Sequence, residues 1–292
     1  MIYKIVHRTT YKYKYPVSVG SHVACLKPRN LPRHRLAQSE LQIVPSPALM
    51  TERIDFFGNH QYFFTVEEPH DELIVESRSQ VVMEETWRDP NLPSPPWEEV
   101  VKSLPADHSP EGLAAYQFRF ESPRIRLRTE FARYAKQSFT PGRSLVEGLL
   151  DLTARIHRDF RFDSKSTTVR TPAEEVFRKK RGVCQDFAHV QIACLRSINL
   201  PARYVSGYLR TYPPAGQPRM VGADASHAWV SAYCPGIGWI DVDPTNDVVP
   251  STGHVTVAWG RDFSDVSPLH GLILGGGAHT LKVGVDLEEI EP

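Results

Sequence analysis

Cys184, His227 and Asp243 are the residues of this sequence whose types and surroundings suit covalent chemistry. Cys184 stands in Arg181-Gly182-Val183-Cys184-Gln185-Asp186-Phe187, where a helical pattern begins. A thiol in the first turn of a helix feels the positive end of the helix dipole, which favours thiolate over thiol. Gly182 would allow a tight turn into that helix. The backbone N–H of Cys184 would be one of the donors that a helix start leaves free, suited to an oxyanion. The plain alternative is a small buried apolar residue, as expected for Cys194 in the middle of the same helix.

His227 opens a predicted strand in Ala225-Ser226-His227-Ala228-Trp229-Val230. Asp243 ends the next one in Trp239-Ile240-Asp241-Val242-Asp243-Pro244-Thr245. Two strands joined by a short Pro- and Gly-containing turn pair antiparallel, so the start of the first lies beside the end of the second. A carboxylate there can hold one imidazole nitrogen and leave the other facing a thiol, the arrangement of nucleophile, base and orienting acid. Asp241 stays a second choice for the orienting acid, since residues two apart on a regular strand share a face. Gln185 and Asp186 suit either a pocket wall or a solvated helix start. The basic run Arg178-Lys179-Lys180-Arg181 suits a solvated helix end or a positive field near the thiol. Trp229 and Trp239 read as core or cleft-wall residues. Gly275-Gly276-Gly277 lacks the Lys-Ser/Thr of a phosphate loop and reads as a turn.

The elements that must position these groups fall into an α+β order. Ile2 to Tyr15 alternates apolar or aromatic with charged residues, a half-buried strand, and 40–44, 51–56, 61–66 and 73–83 continue the β pattern. A small N-terminal β-sandwich over residues 1–88 is expected. Pro90, Pro93, Pro95, Pro96, Pro105 and Pro110 make 89–124 a proline-rich linker or arm. From 125 the period becomes helical, with helices predicted over 128–138, 145–160 and 184–199 and a short one opening at Thr171-Pro172. Strands follow at 202–210, 227–233, 238–241, 255–259 and 280–287, so 125–292 reads as one catalytic core.

The chain has 292 residues, with 34 Lys and Arg against 34 Asp and Glu. That balance gives no basic field for nucleic acid or an anionic membrane. The longest uncharged runs, Ala225 to Ile240 and Val266 to Leu281, are too short and too broken by Pro and Gly to span a bilayer. The N-terminus shows no signal-peptide pattern, so a cytoplasmic location with reduced thiols is expected. Cys25, Cys184, Cys194 and Cys234 include no CxxC pair, and neither a metal nor a cofactor is expected.

Three motifs in order, Gly182-Val183-Cys184-Gln185-Asp186-Phe187-Ala188, Ser226-His227-Ala228-Trp229-Val230 and Asp243-Pro244-Thr245, resemble the transglutaminase-like superfamily. The β-rich N-terminus and the stretch from His254 to Pro268 are similar to its bacterial members. The resemblance implies a papain-like cysteine-enzyme core, with Cys184 as nucleophile, His227 as general base and acid, and Asp243 orienting the histidine. It is less specific for the reaction, because the superfamily includes peptidases, amidases, acyl-transfer enzymes and inactive members. Hydrolysis of a peptide or amide substrate without a cofactor is the expected activity. Amine transfer and a binding module with a vestigial triad are the alternatives. No acidic calcium loop accompanies the motifs, and the oligomeric state is left open.

Overall fold

Ile2–Ala24 folds as one long strand, β1, in which Tyr3, Ile5, His7 and Thr9 are buried while Lys4 and Arg8 face outward. The computed structural model describes residues 1–84, 93–211 and 225–290. Four more strands of the same antiparallel sheet follow: β2 (His34–Val44), β3 (Leu49–Ile54), β4 (His60–Val66) and β5 (His70–Met83). Pro16 divides β1. Having no N–H to give a ladder, it lies where the register shifts, between Lys12 and Val17 and again between Val17 and Val19. Nearly all of β1 before the break pairs with β5, and its end pairs with β4.

The proline-rich arm is not a plain linker. Pro96 immediately precedes helix α1 (Trp97–Ser103), and Pro110 opens α2 (Pro110–Tyr116) behind Ser109, whose hydroxyl accepts from Gly112 N at 3.0 Å. Prolines at helix starts sacrifice no hydrogen bond, so their density marked helix N-termini rather than irregular chain. The expected boundary at residue 88, and Pro90 with it, lie outside the described residues.

Helices α3 (Thr129–Ala135), α4 (Leu145–Asp159), α5 (Ala173–Lys179) and α6 (Cys184–Ser197) follow. Two-residue strands, β6 (Arg161–Phe162) and β7 (Arg181–Gly182), pair parallel on either side of α5. Every residue of α6 from Asp186 to Arg196 is buried, which makes it the central helix. Its last turn is tied down by Arg196, which donates to Ala202 O at 2.8 Å, Arg261 O at 2.7 Å and Phe120 O at 3.0 Å. Beside α6 stands an antiparallel sheet in the order β10-β9-β8-β11, built from β8 (Ala202–Leu209), β9 (Ala225–Cys234), β10 (Gly238–Val242) and β11 (His254–Gly260).

The chain then returns to its beginning. β12 (Leu269–Gly275) pairs with the second half of β1, and β13 (His279–Ile290) pairs with the first. Gly275, Gly276 and Gly277 turn between them at φ of 96°, 76° and 65°, a region that side chains avoid. The N-terminal sheet thus has seven strands and includes residues that sequence reading assigned to the 125–292 core. One apolar cluster joins Tyr3, Ile5, Val81 and Met83 of this sheet to Phe131, Leu152, Ile156 and Phe187 of the helices. The fold is α+β. Among the described residues no helix is long and apolar enough to cross a membrane.

Candidate active site

Val183, extended at φ −115° and ψ 179°, stands at the N-cap of α6, so Cys184 is the first helical residue. Asp186 folds back over this turn. Its Oδ2 accepts from Val183 N at 2.9 Å and from Thr167 Oγ1 at 2.6 Å. Burial pushes the Asp186 carboxyl up, and these two donors oppose that shift. Gly182 matters for space rather than for a special turn. It has no positive φ, but a Cβ there would lie 2.6 Å from Asp186 Oδ2 and 2.8 Å from its Cβ. Asp186 N and Phe187 N donate to Val183 O at 2.9 and 3.1 Å. The N–H groups of Cys184 and Gln185, one position earlier, have no intrahelical acceptor.

The basic run before the thiol is used in local packing. Lys180 Nζ lies 3.7 Å from the Phe177 ring centroid and 4.1 Å from that of Phe160, and Lys179 pairs with Glu175 at 2.5 Å. Gln185 reaches Val169 O at 3.5 Å.

His227 is buried near the start of β9. Its Nε2 lies 2.7 Å from Asp243 Oδ2, and the Cys184 side chain is near enough to favour the charged imidazole. Burial alone would lower the His227 pKa, but Asp243 and Cys184 outweigh it and carry it up to about 10. Asp243 follows β10 directly and is fully buried. Besides His227, its Oδ2 accepts from Asn246 Nδ2 at 2.7 Å and His254 Nε2 at 3.2 Å, while Oδ1 accepts from Thr245 N at 2.9 Å. Burial raises the Asp243 pKa, yet these donors hold it well below the usual carboxylate range. The three sequence-predicted residues therefore meet at one place.

Asp241 does something else. Its Oδ2 lies 2.8 Å from the Arg33 guanidinium, which also donates to Thr256 Oγ1 at 2.7 Å, so this carboxylate ties the segment before β2 to the second sheet. Trp229 is fully buried, its ring 6.2 Å from that of His227 and 5.4 Å from that of His254. Trp239 packs edge-on against Phe118 at 5.3 Å.

Two members of the site escaped the sequence reading. Asn246, three residues after Asp243, completes an Asx-type turn on it, and the Asp-Pro-Thr-Asn run carries that signal. His254 comes from the start of β11, and no local pattern links it to Asp243. The ligand atoms of His227, Asp243 and His254 lie within 4.8 Å of one another, donor types that a transition metal accepts. In this arrangement the same groups are joined by hydrogen bonds, whose imidazole protons a metal would have to displace. The other three cysteines are buried and free.

Comparison with known proteins agrees with this fold. Residues 3–82 match the bacterial transglutaminase-like N-terminal region, and residues 132–244 match the transglutaminase-like superfamily. An uncharacterized protein of Mycobacterium tuberculosis is 39% identical over 304 residues, covering 99% of this chain and 93% of the relative. Another, of Mycobacterium leprae, is 30% identical and covers 98% of both chains. A protein-glutamine gamma-glutamyltransferase of Pseudomonas aeruginosa is 33% identical, over 34% of this chain and 16% of its own length. The crystal structure of a candidate cysteine protease from Cytophaga hutchinsonii superposes with a TM-score of 0.77 at 22% identity, covering all of this chain and 92% of that one. The fold is thus that of a cysteine enzyme. The chain belongs to the transglutaminase-like superfamily, with the bacterial N-terminal region that accompanies its core.

Proposed function

We propose that the protein hydrolyses amide or peptide bonds through an acyl-enzyme on Cys184. The observation that carries this reading is His227, held by the buried Asp243 and beside the Cys184 thiol that opens the central helix. With Nε2 held by Asp243, Nδ1 is the nitrogen left for the sulfur. The thiolate attacks the carbonyl carbon, a C–S bond forms, and the carbonyl π pair moves to oxygen, where the Cys184 N–H can receive it. Collapse of the intermediate breaks the C–N bond, and the His227 imidazolium gives its proton to the departing amine. Water, losing a proton to the now neutral His227, then attacks the thioester, and the carboxylic acid and the thiolate–imidazolium pair are regenerated. Asp243 holds the ring orientation throughout and stabilises the imidazolium whenever it forms.

A second reading, transfer of the acyl group to a primary amine, is favoured by the Pseudomonas aeruginosa relative. Both readings take a peptide or amide as partner, and the balance of 34 basic and 34 acidic residues gives no support to nucleic acid or membrane. A cytoplasmic site of action belongs to the same proposal, supported by four unpaired cysteines. The test is a mass-spectrometric screen of peptide and amide libraries for adducts on Cys184, followed by product analysis with and without added amine. Free acid as the product supports hydrolysis, and a covalently labelled amine supports transfer. A Cys184 that forms no adduct and reacts with thiol probes no faster than Cys25 would leave a non-catalytic binding module as the better description.

A further inference from the structure

Asp243 Oδ2 serves two imidazoles, and only one of them belongs to the proposed chemistry. His227 Nε2 stands 2.7 Å away and His254 Nε2 3.2 Å away, with ring centroids 6.0 Å apart and planes inclined at 55°. An ionised carboxylate accepts but cannot donate, so both Nε2 atoms must carry hydrogen. For His254 this fixes the tautomer. Its Nδ1 is buried without a hydrogen-bond partner, so no acceptor there stabilises a second proton. Burial also lowers the His254 pKa, although Asp243 opposes the shift. The charged and titratable groups facing it are Asp243 after β10, His227 on β9 and Arg33 from the segment before β2. His227 and Arg33 both disfavour a cationic His254, and only Asp243 favours one. The fully buried Trp229 ring packs against it at 5.4 Å, nearly perpendicular.

We propose that His254 is a positioning residue: a neutral second imidazole whose Nε2–H fixes the Asp243 carboxylate in the orientation that holds His227 toward Cys184. This rests on the reading of Cys184 and His227 as a reactive pair. The design has a physical logic. One carboxylate oxygen attracts every nearby donor, and a cationic donor in the place of His254 would compete with His227 for it. A neutral ring anchors the carboxylate without removing the charge that His227 needs. It also gives the site a dependence on β11, far along the chain from both Cys184 and His227.

The test uses iodoacetamide alkylation of Cys184 in the full-length protein, which needs no knowledge of the substrate. Rates are measured from about pH 5 to 9 for the wild type and for H227A, H254L, H254Q and H254N. A Gln amide can put an N–H near the place of Nε2, whereas Asn reaches only to the place of Nδ1. Loss of one hydrogen bond to a charged group should slow alkylation at about pH 6 about tenfold in H254L and move its acid limb to higher pH. H254Q should recover the wild-type profile, and H254N should not. If H254L does not fold, the contrast between H254Q and H254N decides the matter. A wild-type pH profile in H254L, or H254Q as slow as H254N, would overturn the role of His254. A wild type indistinguishable from H227A would instead overturn the Cys184–His227 pair itself, and the two failures cannot be confused.

Discussion

Asp243 holds His227 from inside the protein: its carboxylate is fully buried, and the 2.7 Å Oδ2–Nε2 contact is the shortest it makes, shared in length only with Asn246. Replacing Asp243 by Asn leaves the volume nearly unchanged but cannot stabilise an imidazolium, and it turns an acceptor into a donor facing other donors. D243N should lower turnover by up to about 10⁴-fold while the circular dichroism spectrum stays native. D241N should leave turnover close to wild type and weaken the tie to Arg33 instead. Turnover and melting midpoints of both variants check this. A silent D243N beside a damaging D241N would reverse the two assignments.

The candidate site is more legible in the sequence than the architecture. Cys184, His227 and Asp243 each sit at the end of a regular element, so capping and strand-pairing rules located them. Asp241 and Asp243 share a face on an ideal strand, but β10 ends at Val242 and the Asx turn after it turns Asp243 toward His227. Only the fold could show that difference. The pairing of β12 and β13 with β1 was invisible for another reason: strand partners hundreds of residues apart leave no local trace, and exposed Leu272 and Leu274 lack a buried face to mark. His254 escaped in the same way. The prolines of the arm predict a linker or arm, because sequence alone does not tell a helix start from irregular chain.

The four thiols should separate cleanly by reactivity. Burial pushes Cys25 up to about 12 and Cys234 up to about 11, and raises Cys194 further. Cys184 is half-buried, at a helix N-terminus and beside His227. Iodoacetamide at about pH 6 should therefore label Cys184 alone in the folded protein, with peptide mapping as the readout. C184S should abolish activity and labelling without unfolding the chain. Equal labelling of Cys184 and Cys25 would show that the site does not activate its thiol.

A side chain at 182 would crowd the turn before the nucleophile. A methyl group there would press on Asp186, which caps Val183 and is itself held by Thr167. G182A should displace that carboxylate and cost about 1–3 kcal/mol, through overpacking and loss of the cap. D186A removes the same cap without the clash and should cost about 1 kcal/mol. Both should slow alkylation of Cys184, because the capped turn sets the position of its sulfur and N–H. Denaturant titrations and labelling rates test this, and a G182A protein as stable as wild type would show that the turn can yield.

Stability should depend on pH through the same histidine. The His227 pKa rises on folding from 6.5 to about 10, so the folded state binds its proton more tightly than the unfolded chain does. The resulting stabilisation is complete below about pH 6.5, declines as pH rises, and is lost above about pH 10. Asp243 acts in the opposite sense at the other end: its depressed pKa stabilises the fold above the ordinary value of 3.8 and loses that contribution as pH falls. The two describe one ion pair and are not added. Melting midpoints of the wild type should fall between about pH 7 and 10 more steeply than those of H227L, which has no proton to lose. C184A should complete its fall at lower pH than the wild type, and lose less in total, because Cys184 is one of the partners that raise the folded-state His227 pKa. Parallel curves for wild type and H227L across this range would mean that His227 is not the cationic partner of Asp243.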